Sequence, residues 1–96
     1  MSVPVAEMEF ERMMNLLRPF EWQLVSKKSE ADRLEITIRK QFTVNEMLVR
    51  ETTLNRAKNP LRAFGWEVVS EQVADTVFTL TAKKTLSPEL SRAAMT

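Results

Sequence analysis

The sequence predicts an α+β fold in which one helix-hairpin unit is used twice, in the order αββαββ, with a short C-terminal helix after it. The first observation is a repeat. Residues 15–41 align without a gap on residues 59–85, and nine of the 27 positions are identical, where average residue usage gives roughly one or two. Apolar residues with helical spacing lead into each copy, and alternating residues follow in each. We therefore expect a four-stranded antiparallel sheet with its helices on one face and a pseudo-twofold axis between the copies.

The identical positions lie 44 residues apart and include both tryptophans of the chain. They are Asn15/Asn59, Leu17/Leu61, Arg18/Arg62, Phe20/Phe64, Trp22/Trp66, Val25/Val69, Ser26/Ser70, Thr37/Thr81 and Lys40/Lys84.

The length of 96 residues predicts a single domain, 1–96, made of two repeats at about 1–42 and 43–86 and a tail at 87–96. Folding at this size buries roughly 60 to 70% of the surface of the chain. One modest core is therefore expected.

Composition excludes several classes of function. With 14 basic and 13 acidic residues the net charge is +1, so the chain lacks the concentrated positive charge typical of nucleic-acid readers. The absence of cysteine and histidine removes disulfides, thiolate nucleophiles, imidazole bases and the usual zinc ligands. A single glycine excludes glycine-rich phosphate loops. We expect no cofactor, no metal and no enzyme activity.

The hydropathy of the chain and the sequence of its N-terminus indicate where in the cell the protein is expected. No apolar stretch approaches the ~20 residues that span a bilayer, and the N-terminus does not have the pattern of a leader peptide. We expect a cytoplasmic protein with no membrane partner.

The first helix is predicted over residues 5–18. Pro4 suits its first position, and Pro19 ends it because proline disfavours helical geometry in the residue before it. The apolar stripe comprises Ala6, Phe10, Met13, Met14 and Leu17.

The first hairpin is predicted from two alternating runs. In residues 22–28, Trp22, Leu24 and Ser26 share one side, and Lys27 lies on the other. In residues 33–40, Leu34, Ile36 and Ile38 form the buried side. Strict period two predicts a sheet with one covered face and one face in water.

The second helix begins with a strong signal. Thr43 and Glu46 have the spacing of a capping box, and Phe42 with Met47 has that of a hydrophobic staple. Pro60 predicts that the regular helix stops near Lys58. An alternative interpretation makes residues 47–53 a strand, since apolar residues there also alternate.

The second hairpin is predicted at residues 66–71 and 76–84, with Phe78, Leu80 and Ala82 facing inward. Gly65 is expected to supply a positive φ at the end of the second helix, while its counterpart Glu21 predicts a different closure in the first copy. Ser87 and Pro88 repeat a helix start, which predicts a short third helix over residues 88–95.

These patterns predict one core. It comprises Phe10, Met13, Leu17, Phe20, Trp22, Leu24, Leu34, Ile36, Ile38, Leu54, Leu61, Phe64, Trp66, Val68, Phe78 and Leu80.

The best candidate for a partner surface is the back of the first helix. Val5, Met8 and Leu16 group around Arg12, opposite the core stripe, where a monomer ordinarily carries charge. Methionine and arginine are enriched at protein interfaces. The ordinary interpretation is that single apolar residues are common on any surface.

Repeated basic residues form a second candidate, for anions or nucleic acid. Arg12/Arg56, Arg18/Arg62 and Lys40/Lys84 recur at equivalent positions, and of these Arg18, Lys40, Arg56, Arg62 and Lys84 are the candidate anion contacts. The competing interpretation is that the arginines neutralise helix carbonyls and the lysines solubilise strand ends.

The open sheet face is expected to be polar and free of aromatic rings, which does not fit the stacking of single-stranded RNA bases. It comprises Gln23, Val25, Lys27, Arg33, Glu35, Thr37 and Arg39 in one copy and Glu67, Val69, Glu71, Val77, Thr79, Thr81 and Lys83 in the other.

Together these residues favour a small non-enzymatic binding or regulatory module that acts through protein contacts, self-association into a homodimer included. One alternative is a nucleic-acid-binding protein that uses the repeated basic residues. Another is a small-ligand binder between the helices and the sheet. A catalytic pair of Glu7 and Glu11 is the weakest hypothesis, because no histidine or cysteine accompanies them.

Overall fold

A computed structural model describes residues 5–86 of the chain. It has an α+β fold with a four-stranded antiparallel sheet in the order β1-β2-β4-β3, as the alternating runs predicted. The third helix predicted over 88–95 and the helix start predicted at Pro4 lie outside the described residues. The elements are α1 (Val5–Leu17), a 3₁₀ turn (Arg18–Phe20), β1 (Gln23–Glu30), β2 (Arg33–Gln41), α2 (Val44–Leu48), α3 (Arg50–Ala63), β3 (Glu67–Ala74) and β4 (Val77–Thr85).

The stripe predicted for α1 is confirmed except at Ala6, which is only partly buried against the core. Phe10, Met13, Met14 and Leu17 are buried. They join alternate residues of β2 and β4 in one core, which also takes Leu54, Ala57 and Leu61 from α3. Glu9 is buried on the same side of the helix, although it carries a carboxylate.

The capping box at the start of α2 is confirmed, and the strand alternative for residues 47–53 is wrong. The Thr43 hydroxyl accepts the Glu46 N–H at 3.2 Å, and the Glu46 carboxylate accepts the Thr43 N–H at 3.0 Å. Val49, at φ −118° and ψ 39°, separates α2 from α3. The segment is therefore helical with one break.

The predicted end of α3 near Lys58 is wrong, because the helix continues through Pro60 to Ala63. Proline removes one N–H from the helix, but Leu61 is fully buried and the Phe64 N–H bonds to the Pro60 carbonyl at 3.1 Å. Burial and this bond hold the last turn. Gly65 follows with the expected positive φ of 85°.

The first copy closes in the same way, contrary to the expectation for Glu21. Glu21 adopts a φ of 67°, in the left-handed region, after the 3₁₀ turn that contains Pro19. A non-glycine residue in this region carries a steric cost. The two helix ends are alike in backbone although their residues differ.

β-Bulges in the two edge strands, β1 and β3, place some side chains on the opposite face of the sheet from the one predicted. The register with the neighbouring strand shifts between Leu24 and Ser26 in β1, and between Val68 and Ser70 in β3. One extra residue in a strand moves the following side chains to the opposite face. Ser26 therefore lies opposite Thr37 on the open face, and Lys27 lies opposite Ile36 on the helix side. The prediction that placed Ser26 inward and Lys27 outward is wrong.

The register shift in β3 changes the predicted side-chain orientations of that strand in the same way. Glu71 lies opposite Leu80, on the helix side, and Ser70 lies opposite Thr81 on the open face. Each edge strand thus carries one charge on its helix side, at positions 44 residues apart. Lys27 pairs with Glu7 of α1 at 3.0 Å, and Glu71 pairs with Lys58 of α3.

The predicted core is mostly confirmed, with three exceptions. Phe20, Leu24 and Phe64 are 41%, 39% and 37% exposed, while Val68 is partly buried against the core. Leu24 is on an edge strand, and the two phenylalanines follow helix ends, where little chain covers them. The buried apolar residues absent from the predicted set are Met14, Phe42, Ala57, Ala82 and Leu86, and the buried polar ones are Glu9, Lys40 and Thr53.

Candidate protein-binding surface

The outward side of α1 carries a row of three residues spaced by four: Met8, Arg12 and Leu16. We call it the α1 row. Met8 is 50% exposed and Leu16 is 38% exposed, and the Arg12 side chain is 47% exposed. Val5, the fourth residue predicted for this surface, is partly buried and packs against the core. Three of the four predicted residues therefore share one exposed face.

The fold brings Phe64, which follows α3, against the α1 row. The Arg12 guanidinium carbon lies 5.4 Å from the centroid of the Phe64 ring, within the range of a cation–π contact. Arg12 Nη1 is also 3.5 Å from Glu9 Oε1. Sequence reasoning missed Phe64 because it treated the ring as core. The repeat offered a signal in the sequence, because an arginine recurs at positions 12 and 56 and a phenylalanine recurs at positions 20 and 64.

A shallow depression of about 530 Å³ lies beside the row. Met8, Glu11, Arg12 and Asn15 have the spacing i, i+3, i+4, i+7, which is the hole that receives a side chain from a neighbouring helix. Glu7 lines the same depression. Its rim thus combines two carboxylates, an amide, a thioether and the guanidinium of Arg12.

Both carboxylates of the depression keep exposed positions. Glu7 pairs with Lys27 at 3.0 Å with both side chains about half exposed, and Glu11 lies 3.6 Å from Arg18 with a side chain 66% exposed. Exposed pairs of this kind contribute little to stability, about 0 to 1 kcal/mol. The carboxylates can therefore change partners at low cost.

The equivalent face of α3 has different chemistry. Thr52, Arg56 and Pro60 stand where Met8, Arg12 and Leu16 stand on α1. Arg56 also lies over a phenylalanine, with its guanidinium carbon 5.8 Å from the Phe20 centroid. The arginine-aromatic pair thus occurs on both helices, whereas the flanking methionine and leucine occur on α1 alone.

Lys40 and Lys84, two of the candidate anion contacts, are held in internal contacts. Lys40 is buried, donates to the Phe20 carbonyl at 2.7 Å and lies 3.1 Å from Glu46 Oε2. Lys84 donates to the Phe64 carbonyl at 2.6 Å and to Glu9 Oε2 at 2.9 Å. Both lysines therefore tie a strand end to a helix end.

Glu46 is electrostatically adapted to this position. Its pKa is lowered from the ordinary value of 4.5, first by the backbone N–H of Thr43 and then by hydrogen bonding and charge attraction from Lys40, against the opposing effect of burial. The carboxylate therefore stays ionised beside Lys40.

The three arginines predicted as anion contacts are spread over the surface. Arg18 donates to Asn15 Oδ1 at 3.2 Å, and Arg62 is exposed in the last turn of α3. Arg56 shares a depression with Lys40, but Glu21 and Glu46 line that depression as well. The structure thus does not gather the predicted basic residues into one uniformly positive site.

The open sheet face carries small and β-branched residues at its centre. The hydroxyl oxygens of Thr37 and Thr81 lie 3.2 Å apart there. With the register corrected for the bulges, Ser26 and Ser70 replace Lys27 and Glu71 on this face. Its strand residues within 23–41 and 67–85 include no aromatic side chain.

An exposed apolar group on α2 was not predicted as a site. Val44 and Leu48, one turn apart, are each 79% exposed, and Val49 is 55% exposed. The signal was present in the sequence, since Val44 and Leu48 have helical spacing, but the helix-or-strand ambiguity of 47–53 hid it.

The small-ligand and catalytic hypotheses gain no support from the described residues. Core side chains such as Met13, Leu17 and Ile36 are completely buried between helices and sheet. Glu7 and Glu11 are engaged with Lys27 and Arg18. Within residues 5–86 there is no cluster of three or more metal-binding side chains and no helix long and apolar enough to cross a membrane.

Comparisons of the chain with protein-family models, with curated proteins and with solved structures found no match.

Proposed function

We propose that this chain is a non-enzymatic protein-binding module and that its binding surface is the α1 row together with Phe64. The observation that carries the proposal is the exposure of Met8, Leu16 and Phe64 around a half-exposed Arg12. Aromatic, methionine and arginine side chains are the types enriched in interface cores. The depression beside them offers a place for a partner side chain.

The surface does not serve the fold in the way that the core does. Met8 is 50% exposed and Leu16 is 38% exposed, so removing either one loses less buried area than removing a fully buried core residue. The equivalent α3 positions carry Thr52 and Pro60. The apolar character at α1 is therefore better explained by a partner than by stability.

We also propose that the two halves arose as copies of one unit and are related by a pseudo-twofold axis near Thr37 and Thr81. Their hydroxyls are in contact and their residues are 44 apart, which is the offset of the repeat. The bulges, the two positive-φ helix ends and the two lysine-to-carbonyl bonds recur at the same offset. On this proposal the α1 row and the α3 face are built alike and differ only in side chains.

Site-specific photo-crosslinking tests the binding surface. A benzophenone side chain placed at Met8 is expected to form protein adducts in the cells that make the protein. The same group at Thr52, the equivalent position on α3, is the matched control and is expected to form few. Adducts at both positions in equal amount, or at neither, would contradict the proposal.

Nucleic-acid binding stays a prediction with weaker support, because Lys40 and Lys84 are occupied by internal partners. Duplex DNA binding that weakens steeply with salt would favour it. The cytoplasmic location also stays a prediction, which fractionation of the source cell tests.

A further inference from the structure

We infer that the partner of the α1 row is a second copy of this chain, with the two α1 helices antiparallel about a twofold axis near Arg12. The inference rests on the proposed function of this surface. It goes beyond it by naming the occupant and the contact that selects it.

The first argument is geometric. The hole formed by Met8, Glu11, Arg12 and Asn15 lies beside the α1 row and shares Met8 and Arg12 with it. In an antiparallel pair about Arg12, each arginine faces the hole of the other copy, and Met8 of one copy faces Leu16 of the other. Rows spaced by four interdigitate in the commonest class of helix packing in globular proteins. One contact therefore generates its symmetric equivalent, as a closed dimer requires.

The second argument is charge complementarity. The depression has carboxylates at Glu7 and Glu11, an amide at Asn15 and the guanidinium of its own Arg12. The residue that would enter it is the Arg12 of the second copy, on the side of the two carboxylates. A guanidinium has five N–H donors, and among the described residues only Glu9 forms an ion pair with Arg12. Donors remain for Glu11 and Asn15 of the second copy, which would then share these exposed acceptors with Arg18. The apolar stem of the arginine would lie against Met8.

The third argument is the contrast with α3. The corresponding hole there consists of Thr52, Asn55, Arg56 and Asn59. It lacks the methionine and has an asparagine in place of Glu11. Arg56 also lies over a phenylalanine, Phe20. Glu51 stands where Glu7 does, but Asn55 in place of Glu11 leaves the α3 face one carboxylate fewer, which selects the α1 face over the α3 face.

The experiment is a charge exchange read by analytical ultracentrifugation over a dilution series into the high micromolar range. The parent is expected to dimerise weakly. Arg12→Glu alone and Glu11→Arg alone are each expected to weaken dimerisation about 100-fold, because each lost contact occurs twice in the dimer. Arg56→Glu, on the equivalent arginine, is the control and is expected to leave the dimer unchanged.

Mixing the Arg12→Glu variant with the Glu11→Arg variant gives the decisive result. The carboxylate introduced in the first variant would face the guanidinium introduced in the second. The unchanged Arg12 of the second would face the unchanged Glu11 of the first, so a heterodimer is expected where each variant alone is monomeric. The double variant Arg12→Glu/Glu11→Arg is expected to dimerise like the parent. Thermal melts of each variant confirm that the fold is retained.

Other outcomes separate this inference from the proposed function. A parent that stays monomeric while benzophenone at Met8 captures a different protein overturns the self-pairing and leaves the binding surface in place. A dimer that Arg12→Glu and Arg56→Glu weaken equally, or not at all, overturns the self-pairing. The absence of both a dimer and Met8-specific adducts overturns both.

Discussion

The ammonium of Lys84 on β4 lies 2.9 Å from the carboxylate of Glu9 on α1, and both side chains are largely buried. The same ammonium also caps the Phe64 carbonyl. The pair thus ties the first helix to the last strand and to the end of α3, three elements that are far apart in sequence.

Removing Glu9 should therefore be costly. Glu9→Ala leaves a largely buried ammonium without its counter-charge and is expected to lower the free energy of unfolding by about 3 kcal/mol. Glu7→Ala, which breaks the half-exposed pair with Lys27, is the matched control and should cost less than about 1 kcal/mol. Urea unfolding measures both, and equal losses would contradict the assignment.

The charges on the helix side of the edge strands are expected to protect the sheet from pairing with other chains. An inward-pointing charge on an edge strand opposes the addition of another strand. Glu71→Val removes it from β3, beside the exposed Val73, and should make the protein aggregate faster on incubation, as measured by light scattering. Gln72→Val adds the same side chain on the open face and should stay close to the parent. Faster aggregation of Gln72→Val than of Glu71→Val would refute the role of the inward charge.

Those edge positions also show what the sequence could predict. Alternation in residues 33–40 was unambiguous because Leu34, Ile36 and Ile38 are all buried. In β1 no residue is buried, so the alternation there said little about which side chains point toward the helices. No local feature of the sequence marked Val25 as the extra residue of a bulge. A bulge depends on pairing with the neighbouring strand, which is a long-range property.

The candidate site was predictable in part for a similar reason. Met8, Arg12 and Leu16 follow from helical spacing alone. Phe64 joins them only because α3 ends beside α1, and its ring is apolar enough to be taken for core. Glu9 was missed too, although its spacing of four from Met13 placed it on the buried stripe.

The two tryptophans provide a third prediction. Trp22→Ala or Trp66→Ala should cost about 3 to 5 kcal/mol, because each indole is buried in a small core. Neither indole N–H has an acceptor among the described residues. Phenylalanine removes that unpaired donor, so Trp22→Phe or Trp66→Phe should cost only about 1 to 2 kcal/mol. Denaturant melts test the ranking, and a phenylalanine variant as unstable as the alanine variant would count against it.

Stability should depend on pH through Glu46. Its pKa is lowered in the folded state, so its contribution is present above the unfolded value and is lost as the pH falls through the lower folded value. Glu46→Gln is expected to cost about 1 to 2 kcal/mol at pH 7 through the weakened cap and the lost partner of Lys40. The difference between parent and variant should shrink as the pH falls below about 4.5. A difference that stays constant from neutral to acidic pH would show that the charge of Glu46 plays no part.

Substitutions at the ends of the two helices are predicted to change the stability of the protein in opposite directions. Glu21 and Gly65 both have a positive φ, of 67° and 85°. Glycine adopts this conformation without steric cost, whereas it costs other residues about 1 kcal/mol. A Cβ at Gly65 would meet Lys84 Cε at 3.6 Å, an ordinary contact, so Gly65→Ala should be destabilising by about 1 kcal/mol through the backbone alone. Gly65→Asn should cost less, since asparagine tolerates the left-handed region.

Glu21→Gly is the reciprocal change and is expected to be neutral or to stabilise the protein slightly. Glycine removes the steric cost of the positive φ. Two effects oppose this gain: glycine has more conformational freedom in the unfolded chain, and the exposed carboxylate 3.6 Å from Lys40 is lost. Thermal melts of Gly65→Ala, Gly65→Asn and Glu21→Gly therefore form one series. If Glu21→Gly destabilised the protein as much as Gly65→Ala, the carboxylate and not the backbone would govern the first helix end. The two ends would then differ in mechanism despite their shared conformation.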